Sequence, residues 1–226
     1  MSAQIAGVTR APCFALALAA DAAGALSCLS AAERTDYVAL RTDARRRDWL
    51  AGRLAAKRAV ACALSVHDLA RVELAARPGA APHPMLRAAD GDRLPLPLAL
   101  SITHCDGRAA AAVGAEWVRL GVDLERRGGV APRRQSYFLS AAERARAGVM
   151  DTTSLWALKE AAWKALGCGD ELPFRALELR LDEAGRVRAV ACHGAEHDAC
   201  AAFVDPWPGY VLAVCSVEAP VGAVGR

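Results

Sequence analysis

Leu29-Ser30-Ala31-Ala32-Glu33-Arg34 is spelled a second time as Leu139-Ser140-Ala141-Ala142-Glu143-Arg144. Each copy puts Ser where a helix begins and Glu three residues on. In that pattern Ser and Glu each satisfy one orphan amide of the first turn. The echo continues downstream with a small change of offset. Residues 50–59 lie over 156–165, which aligns Arg53 with Lys159 and Arg58 with Lys164. A six-residue identity followed by a second aligned helix reads as a tandem duplication. The predicted fold is α+β, a pseudo-dimer of two similar α/β halves, residues 1–112 and 113–226. Each half is a small, mainly antiparallel sheet packed with helices, and the active site is expected in the cleft between them.

Between the repeats the pattern turns to strands. Residues 98–103, 109–113 and 117–124 are predicted strands in the middle of the chain, and 176–191 and 210–217 carry apolar or alternating runs near its end. Glu183-Ala184-Gly185 reads as a turn, and the Pro- and Gly-rich stretch 77–97 as a long loop. The apolar run 13–20 imitates a secretion signal, but a single Arg precedes it and it is short, so it reads as a first core strand.

Bulk composition narrows the functions. With 226 residues, 54% of them hydrophobic and 23% charged, the chain can bury a core and is not disordered. A net charge of +3 is too small to argue for nucleic-acid binding but suits anionic ligands or an acidic partner. No apolar run reaches the roughly 18 residues that span a membrane. The eight cysteines are irregularly spaced with no Cys-x-x-Cys, which predicts free thiols in a reducing cytosol. Cys192-His193 with His197 and Cys200 matches no common zinc spacing and reads as a strand end followed by a turn through Gly194.

The chemistry concentrates in Gly121-Val122-Asp123-Leu124-Glu125. Alternation along a strand sends Asp123 and Glu125 to one face and Val122 and Leu124 to the other. On the later helix, Trp156, Glu160, Trp163 and Lys164 share one arc, Leu155, Leu158, Ala162, Ala165 and Leu166 share an apolar one, and Lys159 lies between. Taken alone, this helix is amphipathic with a Glu160–Lys164 surface pair worth only ~0.3–0.5 kcal/mol. With Asp123 and Glu125, Glu160 makes an oxygen-rich set for Mg²⁺. Ser101-Ile102-Thr103-His104 ends a strand before the turn pair Asp106-Gly107, and 121–125 is its expected neighbour. Arg45, Arg46, Arg47, Arg53, Lys57 and Arg58 form a basic run on the first-half helix.

Together these motifs resemble the Sfp-type 4′-phosphopantetheinyl transferases. The resemblance lies in Ser101-Ile102-Thr103-His104, in 121–125, and in Trp156-x-x-Lys159-Glu160-Ala161-x-x-Lys164. Gly52-Arg53, Gly167-Cys168-Gly169, Leu172-Pro173 and Asp205-Pro206-x-Pro208-Gly209-Tyr210 extend it. The resemblance implies transfer of phosphopantetheine from coenzyme A to a serine of an acidic acyl or peptidyl carrier protein, by a cytoplasmic monomer. It implies that Asp123, Glu125 and Glu160 hold Mg²⁺ on the coenzyme A pyrophosphate, with Asp123, Glu160 and Lys164 in catalysis. His104, with Thr103 beside it, would meet a phosphate. Lys159 and Lys164 would neutralise phosphate charge, and Arg53 and Arg47 would help to hold the 3′-phosphate. The family's Gly-Lys/Arg-Pro segment is met only loosely by 91–95, which gives Arg93 as its cation. Cys105 and Ala161 stand where the family usually has Ser. Two other readings compete: a Mg²⁺-dependent phosphodiesterase or nuclease, and a non-catalytic module that binds coenzyme A or a carrier.

Overall fold

Both capping signals form. Ser30 Oγ accepts from Glu33 N at 3.2 Å while Glu33 Oε2 takes Ser30 N at 2.9 Å, which starts α1 (Ala31–Ala39). Ser140 and Glu143 repeat this at 3.1 and 2.6 Å and start α4 (Ala141–Arg146). The computed structural model describes residues 15–19, 24–77, 80–88, 90–146, 150–167, 174–183, 186–192 and 194–218. Residues 13, 14, 20, 78, 79, 89, 168, 169, 172, 173, 184, 185 and 193, which fall within stretches of the sequence reading, lie outside the described residues.

The chain divides into Met1–Glu116 and Trp117–Arg226. The boundary expected at 112/113 would cut β6 (Arg108–Ala115), whose ladder belongs to the first unit.

In the first unit, β1 (Ala15–Ala19), β6 and β5 (Leu98–Cys105) form one antiparallel sheet in the order β1-β6-β5. A second follows the order β2-β3-β4, from Val72–Arg77, Ala80–Arg87 and Arg93–Pro95. The sequence reads 77–97 as a loop because of its prolines, yet β3 and β4 lie within it. Pro84 is tolerated because a strand residue's N–H and C=O point to the same side. Its carbonyl accepts from Leu96 N at 3.0 Å, beyond the end of β4, so its missing N–H removes no bond to β2. The long helix α2 (Asp43–Leu64) lays fully buried Ala51, Ala55 and Ala59 in a core with Ala109, Ala111 and Val113 of β6. Small side chains on both surfaces bring helix and sheet into close contact.

In the second unit a five-stranded antiparallel sheet runs β7-β11-β10-β9-β8. Its strands are β7 (Val118–Arg126), β8 (Leu177–Leu181), β9 (Val187–Cys192), β10 (Ala195–Val204) and β11 (Tyr210–Glu218). A short helix α3 (Gln135–Phe138) precedes α4. Helix α5 (Thr152–Leu166) starts where Asp151 caps the amides of Thr153 and Ser154, and ends at Gly167 in the left-handed region, φ 66°. It packs Ala157, Leu158, Ala161 and Ala165 in one core with Val211, Ala213 and Cys215 of β11. The neighbour of β5 is therefore β6 and not the strand bearing Asp123, since β7 pairs with β11 in another sheet.

Each unit holds one buried ion pair built on its capping Glu. Lys57 Nζ meets Glu33 Oε2 at 2.8 Å and donates to Val72 O, while Glu33 Oε1 takes Leu74 N at 3.2 Å. Lys159 Nζ meets Glu143 Oε2 at 2.8 Å and donates to Phe138 O, while Glu143 Oε1 takes Leu179 N at 2.9 Å. The matching cations are thus Lys57 and Lys159. The alignment of Arg53 with Lys159 is out by about one helical turn. Arg58, aligned with Lys164, instead donates to Leu18 O at 3.1 Å.

Candidate active site

Gly121 decides how the second unit's site is assembled. Gly121, Asp123 and Glu125 alternate onto one face of β7. A Cβ on Gly121 would lie 1.8 Å from Ala161 O and 2.7 Å from Ala165 N, so only glycine lets β7 lie directly on the backbone of α5. That approach brings the strand's carboxylates to the helix. Gly121→Ala is expected to cost about 2–3 kcal/mol, because the clash is with backbone that cannot swing aside. A thermal melt checks this, and an unchanged midpoint would contradict it.

Lys164 Nζ reaches across to Asp123 Oδ1 at 2.7 Å and to Val122 O at 3.1 Å. This is not the Glu160–Lys164 surface pair of an isolated amphipathic helix. Glu125 Oε1 accepts the indole N–H of Trp156 at 3.0 Å. Glu160 is pushed up to about 7, by burial first and then by the charges of Asp123 and Glu125, against the opposing pull of Lys164. One lysine does not balance three carboxylates here.

The expectation for Lys159 does not survive as a phosphate contact. Its side chain is fully buried and its ammonium is spent on Glu143 and the Phe138 carbonyl. Burial lowers its pKa, with Glu143 opposing the shift. Lys159 ties α5 to α4 and α3 from within the core. Asp205, from the motif at 205–210, takes Arg127 at 2.5 Å, and Arg127 also bonds Asp151 at the start of α5 at 3.2 Å.

The first unit has an open cleft of about 240 Å³ lined by Arg45, Asp48, Gly52, Arg53, Ile102 and His104 among others. His104 is half-exposed, with Nδ1 3.9 Å from Asp48 Oδ2. Asp48 Oδ1 also accepts from Gly107 N at 2.8 Å, which ties α2 to the β5–β6 turn. Arg53 lies 4.6 Å over the Trp49 ring and donates to Leu74 O at 3.0 Å. Burial lowers its pKa, against the pull of Glu33 and Asp36.

Three other expected contacts lie elsewhere. Thr103 is buried, on the face of β5 opposite His104, by strand alternation. Arg93 pairs with buried Glu73 at 3.3 Å. Arg47 is exposed and does not line the cleft, whereas Arg45 does. Arg45, Asp48, Trp49 and Gly52 follow the three-and-four spacing of one helix face, and that spacing is the signal by which Arg45 could have been chosen.

Among the described residues no group of three or more His, Cys, Asp or Glu side chains is placed to hold a metal ion. No helix among them is long and apolar enough to cross a membrane.

The second unit is thus a β-sheet and helix domain in which Lys164 of α5 pairs with Asp123 of β7 and Trp156 of α5 bonds Glu125 of β7. Residues 119–215 match the family model of the 4′-phosphopantetheinyl transferase superfamily. The matched segment contains Asp123, Glu125, Glu160 and Lys164 and none of the first unit's candidates. No curated protein matches the chain. Solved structures do match. One is the Thermotoga maritima holo-acyl-carrier-protein synthase, AcpS, 21% identical, with a match covering 44% of this chain and 62% of that one at a TM-score of 0.36. The chain therefore spans less than two thirds of that protein's length.

Proposed function

We propose that this chain is an Sfp-like 4′-phosphopantetheinyl transferase. It moves phosphopantetheine from coenzyme A to a serine hydroxyl of an acidic acyl or peptidyl carrier protein and releases adenosine 3′,5′-bisphosphate. The observation that carries this reading is the close packing of β7, which bears Asp123 and Glu125, on α5, which bears Glu160 and Lys164, within a segment that matches the transferase superfamily. One capping Glu with its buried Lys in each unit supports the two-halved, Sfp-like variant, working as a monomer.

The donor set fits Mg²⁺. Carboxylate oxygens are the hard donors that a hard divalent cation takes. Asp123, Glu125 and Glu160 would hold it, and when bound it would neutralise phosphate charge on the donor. Lys164, partly exposed beside Asp123, offers its ammonium to the leaving phosphate. The serine oxygen forms the new bond to the β-phosphorus while the bond to the departing bisphosphate breaks. Glu160 is assigned as the base that takes the serine proton, a role open to a carboxylate once its own proton has been displaced. The nucleotide is assigned to the first unit, with Arg45 and Arg53 as the cations of its cleft and His104 as a hydrogen-bonding group. Lys159, Thr103, Arg93 and Arg47 are left out of the contacting set.

The raised Glu160 gives a pH prediction. Its folded pKa of about 7 lies above its ordinary value of 4.5, so the unfolded chain loses this proton first as pH rises. The metal-free protein should lose stability from about pH 4.5 to 7. Cation binding must displace the same proton, so affinity should climb by up to about tenfold per pH unit below 7 and then level off. Calorimetric Mg²⁺ titrations at pH 5.5, 6.5 and 8 check it, and equal affinities would contradict it.

With coenzyme A, Mg²⁺ and an apo-carrier, adenosine 3′,5′-bisphosphate should appear in step with carrier consumed. Cleavage of DNA or RNA under those conditions, with no bisphosphate formed, would favour the nuclease reading instead.

A further inference from the structure

Trp156 is held on several sides. Its ring meets buried Phe138 edge-on at 5.1 Å and stacks on Phe174 at 5.1 Å with 14° between planes. Phe174 in turn stacks on Trp163 at 4.6 Å and 2°. A ring fixed between two aromatic neighbours aims its one polar group in one direction, and Trp156 Nε1–H is aimed at Glu125 Oε1, 3.0 Å away. The helix that supplies Glu160 therefore also supplies, one turn earlier, the donor that fixes a carboxylate on β7.

Packing alone does not account for this donor. The aromatic stack needs the ring, which Phe would provide, but not an N–H pointed at a carboxylate. A hydrogen bond from a fixed donor restricts the orientation of a carboxylate. Outer-shell donors of this kind tune metal sites, and losing one costs roughly 10–100-fold in metal affinity.

We propose that Trp156 is a positioning residue that orients Glu125 for a divalent cation, with Phe138 and Phe174 holding the indole in place. This role rests on the reading of Asp123, Glu125 and Glu160 as the cation set and adds the group that preorganises it.

Mn²⁺ serves as the probe, with binding read by electron paramagnetic resonance and calorimetry, apart from any turnover. The proteins compared are the unmodified chain, Trp156→Phe, and a chain carrying benzothienylalanine at 156, which keeps the indole's shape but has sulfur in place of N–H. Both changes should weaken Mn²⁺ binding by roughly 10–100-fold. The isosteric protein should melt close to the unmodified one without cation. In a Glu125→Gln background, removing the N–H should have little further effect on Mn²⁺ affinity, because Trp156 acts through Glu125. In transfer assays the apparent KM for Mg²⁺ should rise while kcat at saturating Mg²⁺ is largely retained. If the isosteric protein binds Mn²⁺ as tightly as the unmodified chain, Trp156 only packs and the proposal is overturned. If the unmodified chain binds no Mn²⁺, the cation set itself is wrong and the proposal falls with it.

Discussion

Glu160→Gln is expected to lower transfer to a carrier by about 10²–10⁴-fold in kcat, with a further loss of Mg²⁺ affinity. Two proposed roles fall together at this position. Glu160 supplies one of three carboxylates, and it is the one whose proton is held to about 7 by burial and by Asp123 and Glu125. An ionised carboxylate accepts a proton and ligates a cation, whereas the amide of Gln is no base. The substitution has an opposite effect on the fold. At pH 8 the metal-free chain must keep Glu160 ionised among like charges, so Gln should raise the melting temperature. Lower activity with higher metal-free stability is the signature of a site strained for function. Steady-state kinetics with varied Mg²⁺ and a melt at pH 8 read both halves, and near-normal kcat would remove Glu160 from the chemistry.

Glu143→Ala is expected to destabilise the second unit by about 3–5 kcal/mol. Its carboxylate is buried and serves Lys159, the amide of Leu179 and the amide of Ser140 at once. Removing it strands a fully buried ammonium in the core and leaves two amides without their acceptor. Domains are stable by about 5–15 kcal/mol in all, so this is about a fifth of the margin at the least and all of it at the most. Glu33→Ala should do the same in the first unit, where Lys57 is left instead. Urea midpoints measure both, and a shift under about 0.5 kcal/mol would show that the pair is not holding α5 in place.

The capped helices, the central strands and the carboxylate strand were legible because each has a local signature: a reciprocal Ser–Glu cap, a period of two, a Gly beside alternating charges. The role of Lys159 was not. Lys-Glu on a helix looks the same whether the Lys faces phosphate or is buried, and only the packing of α4 on α5 reveals that the capping Glu143 is its partner. Glu33 and Glu143 were each read as a cap, although each also spends its second oxygen on a distant strand. The strands in 77–97 were hidden by prolines whose effect depends on which side of the ladder they face. Sequence order suggested that β7 neighbours β5, but pairing over β7 is with β11, far along the chain, and nothing local encodes that partner. The aim of Trp156 at Glu125 was invisible for a similar reason. Spacing put Trp156 on the arc of Glu160, but Phe174, which fixes its ring, comes from another segment.

The most direct measurement is the intact mass of a purified apo-carrier after incubation with this protein, coenzyme A and Mg²⁺. The carrier should gain the mass of one phosphopantetheine group on its serine. That gain should vanish with a chelator and nearly vanish with Glu160→Gln. A carrier unchanged in mass, across fatty-acid, polyketide and peptidyl carriers and with enzyme shown to be folded, would contradict the account.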